Sequence, residues 1–343
     1  YGFSAILSKR KITSEWLYEL YQNGSARCLF EREGNKRPIL DSAITLPNTE
    51  KNKFEIYADD FEGNESSLFL TEMNRGKKYT VRSKLLFFKE VYDWIVTHIA
   101  VITPNTPLID LEYYYDTDSL KLINKLIETF DTGISKVKIE EISLDELSNA
   151  MPKPVFDKVM RHVKSRIEEQ ENPSFRMTMR SNESFFNIEV QGHEEPKVTT
   201  IRLDHVKSFY DFGFEEESDG TRRLFDLMDM LLNKREDMLY VVDELERSLH
   251  PKLTERFLQL FMQLHSEERM QLLFTTHESS IMDQSIFRRD EIWFIERNAE
   301  NASEIYSLDR FKERYDKVLS KAYLDGRYGA IPVFCSFEFR EEE

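Results

Sequence analysis

Two adjacent carboxylates, Asp243 and Glu244, directly follow an unbroken apolar run, Leu239–Val242. Four apolar residues without a polar break are typical of a strand buried on both faces in a parallel sheet. Charges at the end of such a strand are costly if they are buried and unpaired, so we expect the sheet to end here, at the edge where open α/β sheets bind ligands. At that edge Asp243 suits a Mg²⁺ held through water, and Glu244 suits positioning or deprotonating an attacking water. Taken alone, the same run also fits a strand that ends in a solvated acidic turn.

Two further groups point to phosphate chemistry. His277 follows a second apolar run, Gln271–Thr276, and Ser218-Asp219-Gly220 opens a helical pattern. Serine is a good N-cap, glycine admits close backbone approach, and a helix N-terminus attracts phosphate through free N–H groups and the helix dipole. A single histidine after a strand is more often packed or solvated, and Ser-Asp-Gly alone is more often a plain helix cap. Their placement around the two carboxylates favours the functional interpretation. Arg222 and Arg223 fit a solvated face, and no role is assigned to them.

The elements that position these residues form a βαβ unit. An amphipathic helix is predicted from about Lys252 to His265, between the two apolar strands, so the strands are expected to be parallel with a right-handed crossover. The helix opened by Ser218 is predicted to run to about Asn233, and a hairpin over Glu291–Glu296 and Glu304–Leu308 closes the pattern.

The rest of the chain reads as strands and helical insertions. Residues 1–33 alternate like strands around an Asn23-Gly24-Ser25 turn, whereas residues 34–66 are polar and predicted to be irregular. A charged helical stretch over 144–172, broken around Met151–Pro154, is predicted to be a lid or an arm. Further elements are a helix ending near Ile95, a strand at 100–104, a helix at 119–131, and strands at 134–142, 175–179, 185–190 and 198–203.

Composition narrows the function classes. The formal net charge is −16, which argues against a broad basic face that coats nucleic acid. No run of about 18 apolar residues occurs, and the first residues open directly into strand material, so we expect no membrane span and no secretory signal. Cys28 and Cys335 show neither metal-ligand nor disulfide spacing, which fits a reducing cytoplasm and argues against a zinc site.

The order of these motifs resembles ATP-binding-cassette ATPases, and more closely the RloA-like, OLD-related ATPases of the AAA family. The specific phrases lie mainly in the C-terminal half, and residues 34–66 and 144–200 carry little resemblance. They are Tyr1-Gly2-Phe3, Glu15–Tyr18, Val91–Trp94, Glu217–Leu224, Asp243-Glu244, Ser248–Pro251, Phe274–His277 and Leu324–Pro332.

This resemblance implies an ATP-binding-cassette or SMC-type P-loop NTPase head, with a mixed sheet, flanking helices, an antiparallel strand lobe and a helical insertion. The implied domains are residues 1–115, the remainder of an N-terminal ATPase lobe; 116–215, the insertion or lid with its strands; and 216–343, the C-terminal ATPase lobe. The implied cofactors are ATP and Mg²⁺.

The resemblance also implies roles for single residues. Asp243 would hold Mg²⁺ through water, Glu244 would polarise the attacking water, and His277 would sense the γ-phosphate. Ser218 and Gly220 would contact an ATP bound to the opposite protomer. Ser248-Leu249-His250 would form the D-loop, which crosses the interface of a homodimer or larger homo-oligomer.

A Gly-x-x-x-x-Gly-Lys-Ser/Thr P-loop, which cradles the phosphates in such ATPases, does not occur in the printed sequence. We expect it to lie N-terminal to these residues. The resemblance then implies an antiphage-defence ATPase that controls a separate effector, a nuclease or a toxin, with nucleic acid bound only through the complex. The alternatives are a DNA-repair or chromosome-maintenance ATPase of the SMC or RecF type, and a non-catalytic scaffold without a P-loop.

Overall fold

The computed structural model describes residues 1–104, 117–169, 171–180, 185–232, 236–312 and 318–332. The chain divides into two compact units, Tyr1–Ala100 and Val101–Glu343. The domain boundaries predicted at 115/116 and 215/216 stay predictions, and the first of them lies outside the described residues, as do Asn233 and Cys335.

The first unit begins with an antiparallel sheet of strands in chain order. They are β1 (Gly2–Ile6), β2 (Lys11–Leu20), β3 (Ala26–Glu33) and β4 (Ile39–Leu40). The strands predicted over residues 1–33 are therefore confirmed. The turn between β2 and β3 contains Gly24 with φ of +80°, a conformation that glycine adopts without steric cost.

Three helices follow in this unit: α1 (Asn48–Phe61), α2 (Phe69–Asn74) and α3 (Leu86–His98). The prediction that residues 34–66 are irregular is wrong, because α1 lies within them. Its buried side chains are only Phe54, Ala58 and Phe61, so its apolar stripe is narrow.

A buried ion pair lies in the core of the first unit. The side chains of Glu15 and Arg32 are both fully buried, 3.3 Å apart. The Glu15 carboxylate accepts hydrogen bonds from the backbone amides of Phe69 and Leu70, at 2.8 and 2.9 Å, and Arg32 donates to two carbonyls of the loop before α2. The pair therefore joins the sheet to the start of α2.

The second unit contains an antiparallel sheet centred on β9 (Lys197–His205). This strand pairs with β6 (Ile134–Ile142), β8 (Phe185–Gln191) and β10 (Asp211–Gly213), and β8 also pairs with β7 (Ser174–Arg180). Each predicted strand in this region is confirmed.

Helices accompany this sheet. The predicted helix at 119–131 is α4 (Thr117–Ile127), and the predicted charged stretch consists of α5 (Leu144–Asn149) and α6 (Lys153–Glu168). Leu147 of α5 and Val163 of α6 are buried against the sheet, so this segment packs on β8 and β9 at one face.

A second, parallel sheet carries the βαβ unit. Its order is β12 (Gln271–Phe274), β11 (Leu239–Val242) and β5 (Ile99–Ile102), with β11 and β12 parallel and Val242 opposite Phe274. Helix α8 (Pro251–Leu264) connects β11 to β12, as predicted, and α7 (Asp219–Leu232) precedes β11.

Burial of these strands differs from the expectation. Tyr240 and Val242 of β11 are buried, whereas Leu239 and Val241 are half-buried. Leu273 of β12 is 61 % exposed. Within the described residues, the parallel strands are therefore covered on one face rather than on both.

The predicted hairpin near the C-terminus is confirmed as β13 (Trp293–Arg297) and β14 (Ser303–Ser307), and α9 (Leu319–Leu324) follows. The turn after α9 buries Tyr328, whose ring lies 5.8 Å from that of Phe294. Among the described helices, none is long and apolar enough to cross a membrane.

Candidate functional site

Asp243 lies at the end of the central strand of the parallel sheet. Its backbone N–H donates to the carbonyl of Ile102 at the end of β5, at 2.8 Å. On the other side, the Thr275 hydroxyl donates to Asp243 Oδ1 at 2.6 Å. The side chain is solvent-exposed. The sheet thus holds a carboxylate at its carboxyl edge, with the carboxylate open to ligands.

Glu244 follows in a strained backbone conformation. Its φ is +47°, in the left-handed region that non-glycine residues seldom occupy. Its N–H donates to the hydroxyl of Thr275 at 2.9 Å, so this one hydroxyl contacts both Asp243 and Glu244.

His277 lies beside this carboxylate. Its Nε2 is 4.0 Å from Glu244 Oε1, and its side chain is 87 % exposed. The backbone N–H of His277 donates to Glu246 Oε1 at 2.8 Å, which fixes the chain after β12 against the turn after β11. An exposed imidazole next to a carboxylate can donate a hydrogen bond to a ligand bound at this edge.

Thr275 and Glu246 contact the predicted site residues, although the sequence did not identify either as part of the site. The parallel register supplies the signal for Thr275, because Val242 opposite Phe274 brings Asp243 level with Thr275. No comparable pattern identifies Glu246, since the conformation of the turn decides its contact.

The helix start predicted to bind phosphate is a capped helix N-terminus. Ser218 Oγ accepts a hydrogen bond from the Thr221 N–H at 3.1 Å and caps α7. A Cβ on Gly220 would lie 2.6 Å from the carbonyl oxygen of Ser248, so only glycine permits this approach. Ser248 itself has φ of +63°. The structure therefore brings Ser218, Gly220 and Ser248 together within one chain.

The residue before Ser218 connects α7 to the antiparallel sheet. The carboxylate of Glu217 lies 2.5 Å from Nε2 of His205, at the end of β9. The Glu217 side chain is only 6 % exposed. This contact fixes the start of the α7 segment to the sheet that carries the helical insertion.

Arg223 does not lie on the solvated face that its sequence predicts. It is buried rather than solvated, with 6 % of its surface exposed, and its Nη2 donates to the Glu244 carbonyl at 3.4 Å. Desolvation by burial lowers the pKa of the Arg223 guanidinium below its ordinary value, and neighbouring Asp226 opposes that shift. Arg222, in contrast, forms an ion pair with Asp219 on the same helix.

The predicted site residues thus fall into two groups in the second unit. Asp243, Glu244 and His277 form one, and Ser218, Gly220 and Ser248 form the other. Arg223 provides a contact between α7 and the turn at Glu244. The described ranges contain no cluster of three or more His, Cys, Asp or Glu side chains suited to a metal ion. A lone carboxylate still fits Mg²⁺, which in nucleotide sites is held by one or two carboxylates, several waters and the substrate phosphates.

A comparison with protein families gives one finding that bears on this geometry. The family model described as "AAA domain, putative AbiEii toxin, Type IV TA system" matches residues 62–283. That span contains both groups of predicted site residues. No curated protein matches the chain.

Proposed function

The chain belongs to this AAA-domain family, and on that premise we propose that it is a Mg²⁺-dependent ATPase that hydrolyses ATP between two paired copies. The observation that carries the proposal is the arrangement at the edge of the parallel sheet. There one hydroxyl, that of Thr275, contacts both Asp243 and Glu244, and exposed His277 lies beside them.

The residues at this edge have separate roles in the proposal. Asp243 would hold the Mg²⁺ through water, and the ion would supply charge neutralisation at the phosphates. Glu244 would accept a proton from the attacking water or orient it, since its half-exposed carboxylate is held by a fixed backbone. His277 would donate a hydrogen bond to the γ-phosphate.

The second group would act on the ATP of the partner copy. Ser218 and Gly220 lie at the first turn of α7, where Ser218 presents an exposed hydroxyl at a helix N-terminus, the type of position that binds phosphate. Ser248, on the turn that touches Gly220, would lie at the contact between the two copies. The active unit would be a homodimer or a larger homo-oligomer with an ATP-binding-cassette or SMC-type head.

The cellular context of the proposal rests on the family. The family description names a putative toxin of a type IV toxin–antitoxin system. We place this ATPase in the cytoplasm, in a defence complex that senses invasion and controls a separate effector of the nuclease or toxin class. Contact with nucleic acid would be made by the complex.

Substitution of the proposed base tests the activity. In the full-length gene product, Glu244→Gln should lower ATP turnover by about 10² to 10⁴-fold, the range for loss of a general base. The exposed Glu267→Gln, on the loop before β12, is the matched control and should retain wild-type turnover. Wild-type turnover by Glu244→Gln would refute the role of Glu244 as the base, whereas no ATP turnover by the wild-type protein would refute the ATPase proposal and favour a non-catalytic scaffold.

Two further measurements separate the remaining alternatives. Stimulation of ATP turnover by DNA in the isolated protein would favour a DNA-repair or chromosome-maintenance ATPase. If the effector is a separate nuclease, substitution of its catalytic carboxylates should abolish cleavage of nucleic acid while ATP turnover persists. Loss of turnover with continued cutting would contradict control of a separate nuclease.

A further inference from the structure

Arg223 has surroundings unlike those of a surface arginine. It lies in the second turn of α7 and is 6 % exposed, whereas its neighbour Arg222 is half-buried and pairs with exposed Asp219. Its Nη2 reaches the carbonyl of Glu244, in the turn after β11. A buried arginine is costly unless its donors and charge are used, so this placement requires a reason.

The carbonyl that Arg223 contacts belongs to a residue in a strained conformation. Glu244 has φ of +47°, and such a conformation persists in a non-glycine residue only where neighbouring contacts hold it. Both backbone polar groups of Glu244 are held. Its N–H donates to the Thr275 hydroxyl on the β12 side, and its carbonyl accepts from the Arg247 N–H at 3.1 Å and from Arg223 on the α7 side.

The charges around Arg223 also connect it to the turn at Glu244. Asp226, Glu246 and Glu244 attract the guanidinium, and Arg247 opposes it. Glu246 in turn accepts the backbone N–H of His277. The guanidinium therefore lies among the carboxylates that organise both the Glu244 turn and the chain at His277.

A close backbone contact, which does not depend on charge, also connects α7 to the turn after Glu244. The first turn of α7 lies directly on the turn after Glu244, because Gly220 approaches the Ser248 carbonyl too closely for a side chain. Helix α7 therefore contacts this turn at two points, Gly220 and Arg223.

We infer that Arg223 is a positioning residue for Glu244, which ties the orientation of the proposed base to the position of α7. The inference rests on the proposed ATPase function. It adds a physical connection between α7, which would contact the partner's ATP, and Glu244, which would act on the ATP bound to its own copy. Pairing of the two copies would then set the geometry for hydrolysis.

The test compares substitutions of Arg223 in the full-length protein. Arg223→Gln should lower kcat for ATP about 10- to 100-fold and leave KM within about twofold, because it removes a charged donor to the Glu244 backbone but no group that binds nucleotide. Arg223→Lys keeps the charge without the planar fork and should fall between Arg223→Gln and wild type. Arg269→Gln is the matched control, since Arg269 is 88 % exposed, and should behave as wild type.

A second measurement separates positioning from a general structural role. In the Glu244→Gln background, addition of Arg223→Gln should leave the ATP concentration for half-maximal dimer formation unchanged within about twofold, because Arg223 acts through the carboxylate that is already absent. A large rise in that concentration would show that Arg223 supports nucleotide binding or folding instead, and would overturn the inference.

The two proposals fail in different ways. If the wild-type protein does not hydrolyse ATP, the proposed function itself is wrong, and if Glu244→Gln hydrolyses ATP like wild type, the assignment of the base is wrong. If Glu244→Gln is inactive while both Arg223 variants retain wild-type kcat, only the positioning role is wrong.

Discussion

The buried ion pair of the first unit permits a quantitative prediction. Arg32→Met replaces the guanidinium by a shorter, apolar side chain and leaves the Glu15 carboxylate fully buried without its cation. Removal of one partner of such a pair costs about 3–5 kcal/mol of unfolding free energy. The amides of Phe69 and Leu70 still hydrogen-bond the carboxylate, so we expect the lower half of that range.

The double variant tests whether the uncompensated charge causes the loss. Glu15→Gln combined with Arg32→Met removes both charges and keeps one acceptor for the α2 amides. We expect the pair of substitutions to be about 1–2 kcal/mol more stable than Arg32→Met alone, because a neutral amide is less costly to bury than an unpaired carboxylate.

Urea unfolding followed by tryptophan fluorescence measures these differences, with Trp16 on β2 as a reporter in the same sheet. With a slope of about 2 kcal/mol per molar urea, the loss for Arg32→Met should lower the transition midpoint by about 1.5–2 M. Lys36→Met, which breaks an exposed pair with Glu33, should leave the midpoint unchanged. Equal stability of Arg32→Met and wild type, or no recovery in the double variant, would refute the reasoning.

Three further predictions concern the candidate site and the C-terminal hairpin. Thr275→Val should lower kcat about tenfold and Thr275→Ser much less, since only the valine removes the hydroxyl that holds the two carboxylate-bearing residues; steady-state ATPase assays measure both. Gly220→Ala should separate α7 from the Ser248 turn and weaken ATP-dependent dimerisation, measured by sedimentation, because the added Cβ would lie 2.6 Å from a carbonyl oxygen. Burial and the Glu296 carboxylate raise the pKa of Tyr306 to about 12 from 10.0, so its neutral form stabilises the fold fully below pH 10 and loses that contribution as pH rises through 12. Tyr306→Phe should therefore be less stable than wild type at pH 8, and the difference should shrink towards pH 12 in urea titrations.

For each of these three predictions, one result would contradict the physical reason given. A valine at position 275 with wild-type kcat would show that its hydroxyl does not organise the site. An alanine at position 220 that dimerises normally would show that the close contact is not needed for pairing. A stability difference for Tyr306→Phe that stays constant from pH 8 to 12 would mean that its hydroxyl does not titrate with a raised pKa.

The sequence predicts which residues lie at the carboxyl edge of the parallel sheet, because the signals for these strands are local. Strong apolar runs define β11 and β12, and the amphipathic helix between them requires a parallel pair, so Asp243 and His277 were expected at one edge. The close approach of Gly220 to Ser248 is a contact between segments far apart in the chain, and nothing in either segment predicts it.

The features that the sequence did not predict have physical explanations. Helix α1 was missed because only Phe54, Ala58 and Phe61 are buried, and apart from Ile56 and Tyr57 the rest of the helix is polar. Arg223 was missed because two adjacent arginines look alike in sequence, although the helical period directs Arg222 outward and Arg223 inward with buried Leu227. The left-handed backbone of Glu244 depends on contacts from α7 and β12, which sequence does not display.

Hydrolysis between two copies is the central claim, and mixing two inactive variants tests it most directly. Glu244→Gln disables the base, and Ser218→Arg disables the helix N-terminus offered to the partner. In the proposal, each ATP site combines Glu244 of one copy with Ser218 of the other. In a heterodimer of the two variants, one site therefore contains both substitutions and the other contains neither. The account predicts that each variant alone is inactive and that an equimolar mixture regains about a quarter of wild-type turnover, since half of randomly formed dimers are mixed and half of their sites are intact. A mixture that forms heterodimers and stays inactive would contradict a site shared between two copies.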